Sequence, residues 1–339
     1  MSAVPSESGN SSVCSKMAID SLLLDAIPNL KQLLESAWAR AYAQEGLFRY
    51  RLDVELERMT TGRFRFLLQL NRKRTTERRK PDVIDGLRPN FDPSRFNFTK
   101  VASGEILLEL MVGESVVSLL INNSPLTENH VLIVPDRVSC LPQILTESSL
   151  NSVIRILVAL GDPNYSIGYN SSGALASVNH LHFHLVYLRH PIYIEQVNLI
   201  PLANGIFRLD DSCPARGYCL VLESGSSREV PRFVNRLFRI IQTLLEHNVA
   251  HNLYLTRRTP DSALRVFIYP RLRLCENKQI APFNVAGFEM SGFVAVGEES
   301  IFRRLDEQLL QDYFREAQEQ TSSSNLYETL DPLLLVGTS

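Results

Sequence analysis

Three histidines alternate with apolar residues in the run His180-Leu181-His182-Phe183-His184-Leu185. The chain holds only 7 histidines in 339 residues. At that frequency a specified H-x-H-x-H arises by chance in roughly three of a thousand such chains, so the spacing carries information. On an extended strand, residues i, i+2 and i+4 share one face at about 3.3 Å rise per residue, which lets three rings cover roughly 13 Å. A row of that length matches a diphosphate. Leu181, Phe183 and Leu185 then enter the core from the opposite face, and Val186 and Leu188 continue the apolar run.

Two chemistries use such a row. Neutral imidazole is the commonest metal ligand, so the three histidines could hold a divalent ion for hydrolysis or oxygenation. A metal site usually adds a carboxylate, yet no Asp or Glu lies between Tyr165 and Pro191, and Glu195 or another would have to be brought in by the fold. The alternative is nucleophilic attack at phosphorus. Imidazole with its ordinary pKa near 6.5 is mostly neutral at pH 7, and flanking histidines can donate to phosphate oxygens. Phosphoryl chemistry depends mainly on positioning and charge stabilisation.

The residues before the row favour phosphorus. Asn170-Ser171-Ser172-Gly173-Ala174-Leu175-Ala176-Ser177-Val178-Asn179 is a small, polar loop. Gly173 lets backbone N–H groups approach an anion, and Ser177 and Asn179 add side-chain donors. Neither G-x-G-x-x-G nor the G-K-[ST] of a P-loop is present.

The elements that position these residues read as follows. Helical spacing covers Ile19–Ala43, broken at Pro28, and alternation marks a strand at Arg63–Leu70. The basic run Arg72–Lys80 reads as a solvated loop or as a segment that meets phosphates. Short apolar segments at Phe96–Ala102, Glu105–Val112, Ser115–Asn122 and His130–Val134 read as consecutive antiparallel strands. A helix at Asn151–Leu160 precedes strands at Tyr165–Asn170 and His180–Leu188. After a strand at Tyr218–Leu222, the order helix, strand, strand returns in Val230–His247, Asn252–Thr256 and Leu264–Tyr269, which suggests an internal duplication. In that register Arg265, Phe267 and Tyr269 take the places of His180, His182 and His184, so the second half would keep the fold without the chemistry. A last helix is expected at Ile301–Ala317.

The expected fold class is α+β: an antiparallel sheet with packed helices, in two related halves. The expected division is a disordered tail at 1–18, an N-terminal half at 19–200, a degenerate half at 201–317 and a tail at 318–339. A hydrophobic fraction of 45% with 21% charged residues is that of a globular protein. Net charge is −2, so nothing global points to nucleic acid. No apolar run approaches the ~20 residues of a membrane span, the polar start lacks an apolar signal core, and 5 scattered cysteines suggest a reducing compartment. A cytoplasmic location is the resulting expectation. His130, His190, His247 and His251 read as structural. Oligomeric state is not readable.

Asn170-x-x-Gly173 followed by Ser177-Val178-x-His180-x-His182-x-His184 resembles the signature of the histidine-triad superfamily. The run Tyr169–His184 resembles that of the animal GDP-D-glucose phosphorylases, relatives of the plant GDP-L-galactose phosphorylases. Further segments resemble the same family: Arg78-Arg79-Lys80-Pro81, Phe91–Lys100, Ile121–Leu126 with His130–Pro135, and Phe283–Ala286 with Glu289–Gly292. Two positions depart from it: Asn129 stands where glycine is usual, and Phe293 where histidine is frequent. The resemblance implies a histidine-triad-like fold and a two-step transfer from a GDP-hexose to inorganic phosphate. It implies His182 as nucleophile, His180 orienting it or assisting charge, and His184 and Ser177 on phosphate. Asn122 would lie near the nucleotide. No cofactor and no metal is implied.

Overall fold

A computed structural model describes residues 21–339 except 83, 85, 224–228, 260–261, 276–281, 320–324 and 338–339. The expected tail at 1–18 lies outside the described residues. The strands are β1 (Leu22–Leu23), β2 (Leu56–Met59), β3 (Leu67–Leu70), β4 (Ile106–Val112), β5 (Ser115–Ile121), β6 (Val131–Pro135), β7 (Tyr165–Asn170) and β8 (Phe183–Tyr187). They continue with β9 (Leu199–Ala203), β10 (Ile206–Leu209), β11 (Tyr218–Leu222), β12 (Ala250–Thr256), β13 (Leu264–Arg271) and β14 (Phe293–Val296). The helices are α1 (Leu30–Ala43), α2 (Arg72–Thr76), α3 (Glu147–Leu160), α4 (Glu229–Glu246), α5 (Gly287–Ser291), α6 (Glu299–Arg304), α7 (Glu307–Gln318) and α8 (Leu326–Gly337).

One eleven-stranded sheet runs β1-β4-β5-β6-β8-β7-β12-β13-β11-β10-β9, antiparallel except at the β1–β4 edge. The order is a palindrome about the β7–β12 pair. Strands β4, β5, β6, β8 and β7 on one side match β9, β10, β11, β13 and β12 on the other, and α3 and α4 hold corresponding places in the chain. The expected α+β class with two related halves is the observed one.

Local signals explain where the helices start and stop. Thr146 caps α3 by accepting Ser149 N–H at 3.1 Å, and Gly161 ends it at φ 67°, a left-handed conformation that glycine adopts without strain. Leu150, Val153, Ile154, Leu157 and Leu160 form its buried stripe. In α4 the same role falls to Val230, Phe233, Val234, Leu237, Ile241 and Leu244. These stripes join buried residues of α1, α8 and one sheet face in a single core. A second core lies on the opposite face of the sheet. It is covered by α5, α6, α7 and the small sheet β14-β3-β2.

Several expected elements change. Pro28 ends no helix: Leu22–Leu23 pairs with β4, Leu24–Ala26 is a 3-10 turn, and α1 starts behind an Asn29 cap. Phe96–Ala102 is not a strand, because Asn97 accepts Thr99 N–H and caps a 3-10 turn at Phe98–Lys100. Only Leu67–Leu70 of Arg63–Leu70 is strand. The basic run begins as α2, capped by Asn71, which accepts Arg74 N–H at 3.0 Å. The helix expected at Ile301–Ala317 is broken between α6 and α7, where Asp306 caps the second. The expected tail at 318–339 carries α8, whose Leu326, Leu330 and Leu334 are buried in the main core. Its apolar residues have a helical partner surface that no local signal announces.

Candidate active site

His182 sits just before β8, on backbone held from three sides by one side chain. Gln143 Oε1 accepts the His182 N–H at 2.9 Å, while Gln143 Nε2 donates to His182 O at 3.1 Å and to Asn170 O at 2.9 Å. The imidazole Nδ1 lies 2.8 Å from His180 O and 2.9 Å from Gln143 Oε1. Both partners can only accept, so Nδ1 carries the proton and Nε2 the lone pair. Burial pushes the pKa of His182 down to about 4, so the ring is neutral at physiological pH.

His184 has the opposite tautomer, set from outside the motif. Leu126 N–H donates to His130 Nδ1 at 3.0 Å, which leaves the proton of His130 on Nε2. That nitrogen lies 3.1 Å from His184 Nδ1, the acceptor in this contact, and His184 therefore carries its proton on Nε2. His130 is fully buried, and burial holds its pKa well below the usual range. Adjacent histidines thus offer one lone pair and one N–H.

Both rings line one pocket on the sheet face opposite α3. Phe96, Phe98, Val101, Leu120, Leu132 and Val178 make an apolar wall, with Glu105 and Asn123 as its polar edge. Arg74, Arg78 and Arg79 from the basic run stand in the wall as well, so this cavity is cationic in a chain of net charge −2. Arg79 donates to Ser177 O at 2.7 Å and to Asp82 at 3.0 Å, and Arg74 donates to Ser124 O. The basic run is therefore not merely a solvated loop.

The six other expected site residues divide. Asn122, Ser177 and His184 line the pocket. His180, Gly173 and Asn179 do not. The ring of His180 is fully buried between Phe91 and Phe98, at 5.5 Å and 5.4 Å, and its Nδ1 accepts Phe98 N–H at 3.1 Å. It acts on the site through its carbonyl and through Phe98, whose ring lies 5.0 Å from that of His182. The row on one strand face fails because β8 begins only at Phe183. Gly173 has φ 74°, and a Cβ there would lie 2.9 Å from Leu87 and 3.3 Å from Ala250. It is required by a tight turn and close packing and is not part of the pocket lining. Asn179 accepts Gln143 N–H at 3.0 Å and donates to Asn90 O at 2.7 Å, which uses it as a brace.

Among the described residues no group of three or more His, Cys, Asp or Glu side chains could hold a metal ion, and no helix is long and apolar enough to cross a membrane. The family description "GDPGP1-like, N-terminal domain" matches residues 29–186, and "GDPGP1-like, C-terminal domain" matches 214–325. GDP-D-glucose phosphorylase 1 of Danio rerio is 36% identical over 305 residues, spanning 85% of this chain and 87% of that protein. The Homo sapiens protein of the same name is 36% identical over 304 residues, 84% of this chain and 78% of the relative. The chain belongs to the GDP-D-glucose phosphorylase family. GDP-L-galactose phosphorylase 1 of Arabidopsis thaliana is 29% identical over 289 residues, 78% of this chain and 62% of that one. In fold, the chain resembles yeast Ap4A phosphorylase Apa2 with TM-score 0.64 at 17% identity, over 86% of this chain and 97% of the other.

The two departures from the family pattern find structural accommodation. Asn129 adopts φ 56°, the left-handed region glycine would take and asparagine tolerates. Phe293 is buried in the second core at the start of β14. Gln143 and His130 are the residues that sequence reasoning missed. His130 stood among the isolated histidines, and Gln143 lies in an irregular segment with no periodicity to mark it.

Proposed function

We propose that the chain phosphorolyses a GDP-hexose, GDP-D-glucose foremost, through a covalent guanylyl-His182 intermediate. His182 Nε2 attacks the α-phosphorus, the bond to the bridging oxygen breaks, and hexose 1-phosphate leaves with that oxygen. An oxygen of inorganic phosphate then attacks the same phosphorus, the Nε2–P bond breaks, and GDP departs. The leaving group of the first step, hexose 1-phosphate, ionises near pH 6, and that of the second is the His182 imidazole, which leaves neutral with its proton on Nδ1, so neither step demands a strong acid. His184 Nε2–H donates to the charge that develops on phosphorus oxygens, with Ser177 beside it.

The observation that carries this reading is the tautomer pair. His182 Nδ1–H is tied to His180 O at 2.8 Å, which leaves its nucleophilic nitrogen on the pocket side among arginines. A three-histidine metal site is disfavoured because His180 lies outside the pocket and its Nδ1 accepts the Phe98 N–H. The apolar wall suits a purine face. Glu105 at its edge would accept from the adjacent N1–H and N2–H₂ of guanine, a donor pair that adenine lacks.

The test is to incubate the pure protein with a panel of nucleotide sugars, with and without phosphate, and to identify products and label retained on protein. GDP and hexose 1-phosphate should form only with phosphate, and a guanylyl group should remain on His182 when phosphate is omitted. GMP as the main product at millimolar phosphate would make the enzyme a hydrolase.

A further inference from the structure

We infer that Arg78 is the ligand for one phosphate monoester position shared by the departing hexose 1-phosphate and the inorganic phosphate that replaces it. The inference rests on the functional reading above and adds the residue that makes phosphate the acceptor.

In-line displacement at phosphorus and its successor use the same apical direction, because His182 attacks and later leaves from the other side. The group that departs and the group that arrives therefore occupy one place, and what they share is a phosphate dianion. His182, His184 and Ser177 surround the α-phosphorus in that arrangement, so a further cation must meet the dianion.

The wall arginines are not equivalent. Arg74 is committed to Ser124 O, and Arg79 to Ser177 O and Asp82. Arg49 is exposed and stands at the Asn123 end, where its backbone N–H donates to Asn123 O at 2.8 Å. Arg78 is partly buried and, among the described residues, makes no hydrogen bond and no ion pair. Its charge is felt by Glu289 and opposed by Arg74, and burial is the largest influence on it, lowering its pKa. A guanidinium with five donors, partly stripped of water and left without an acceptor, is costly unless a ligand completes it. Glu289 does not complete it, since that carboxylate caps α5 by accepting Ala286 N–H at 3.0 Å. A dianionic phosphate matches the planar fork in charge and geometry.

The experiment compares wild type with Arg78→Met, Arg78→Lys and Arg72→Gln in two half-reactions. One is single-turnover release of hexose 1-phosphate from GDP-D-glucose without phosphate. The other is discharge of preformed guanylyl-enzyme by phosphate or by water. Arg78→Met should slow both release and phosphate discharge by roughly ten- to a hundred-fold, the value of a charge-assisted bond. Discharge by water should hold, so the GMP share rises. Arg78→Lys should recover part of both rates. Arg72→Gln, which removes an exposed arginine paired with Glu55 and Glu299, should change neither. A loss confined to one half-reaction overturns the shared position, and rates within twofold of wild type overturn any role of Arg78. If Arg78→Met does not fold, Arg78→Lys decides by the same criteria. A wild-type protein that makes no GDP from any GDP-hexose sinks the functional reading itself, before the variants are compared.

Discussion

The sheet face opposite the long helices is hollow over β5, β6 and β8 but filled over Cys219 of β11 and Phe267 and Tyr269 of β13. In the first half it presents Leu120, Leu132, His182 and His184 to a pocket. In the second half the corresponding face presents Cys219, Phe267 and Tyr269, with Phe288, Met290, Phe293 and Phe314 packed over it. Phe267 and Tyr269 are completely buried, and Tyr269 OH shares a hydrogen bond of 2.9 Å with Ser291 Oγ. Each such aromatic contributes about 1.5–3 kcal/mol by leaving water. The first half forgoes that term and spends backbone and side-chain hydrogen bonds on aiming two imidazoles. The same strand order thus carries a packed core on one side and a pocket on the other.

The filled half still reaches the hollow one. Arg271, fully buried at the end of β13, donates to Asn252 Oδ1 at 2.7 Å and to Val285 O. Asn252 Nδ2 in turn donates to Asn170 Oδ1 at 2.6 Å and to Ala174 O at 2.9 Å. Asn170 lines the pocket together with Asn284, Ala286 and Phe288. The second half is therefore one wall of the pocket.

The sharpest division between the halves comes from paired variants. His182→Asn should lower turnover by at least roughly 10³-fold with an unchanged melting temperature, the scale seen when a nucleophile is removed. Phe267→Ala should do the reverse, destabilising by about 3–5 kcal/mol while the folded enzyme keeps most of its turnover. If His182→Asn retains a tenth of the wild-type rate, the covalent role of that residue is wrong. Gln143→Leu comes next: loss of its bonds to His182 and Asn170 should cost about 10²-fold in kcat with little change in KM, as mispositioning does. An effect confined to KM would make Gln143 part of substrate binding instead.

Arg271→Met tests whether the far half positions the site or merely encloses it. Asn252 loses a charged partner, so a stability loss of about 1–3 kcal/mol is expected. A further several-fold fall in kcat should accompany it, and Asn252→Ala should reproduce that fall. Melting curves that shift while kcat stays constant would reduce the network to packing.

The smallest effect is in pH. Burial, first among the causes, holds His180, His182 and His251 down to about 4. The unfolded chain titrates near 6.5, so between about pH 6.5 and 4 it takes up more protons than the native state. Stability is therefore full above pH 6.5 and falls as pH drops toward 4. His251 stacks on Tyr169 at 5.9 Å, and neither ring nitrogen makes a hydrogen bond among the described residues. His251→Phe should flatten the decline in melting temperature from pH 7 to 5 and leave turnover nearly unchanged. A decline as steep as that of wild type would place the acid sensitivity elsewhere.

Much of this was readable in one dimension. Alternating apolar residues and glycine, asparagine and proline breaks located β4 to β8, and the periodicity of α3 and α4 exposed the repeated order of helix, strand, strand. The H-x-H-x-H run pointed to the pocket that His182 and His184 line, because three rare residues in fixed spacing are improbable without use. What the chain could not announce is anything carried by contacts between distant segments. His130 is 54 positions from His184, and Gln143 is 39 from His182, so neither the tautomers nor the orientation of the His182 ring has a local signature. Periodicity also put His180 in the row, because it assumes a strand that begins three residues before β8 does. The basic run shows the same limit. Composition marked it as charged, but only its packing beside the pocket committed Arg74 and Arg79 to carbonyls and left Arg78 for an anion. Local preference chooses the elements, whereas hydrogen-bond partners and hollows are properties of surfaces that exist only after those elements have met.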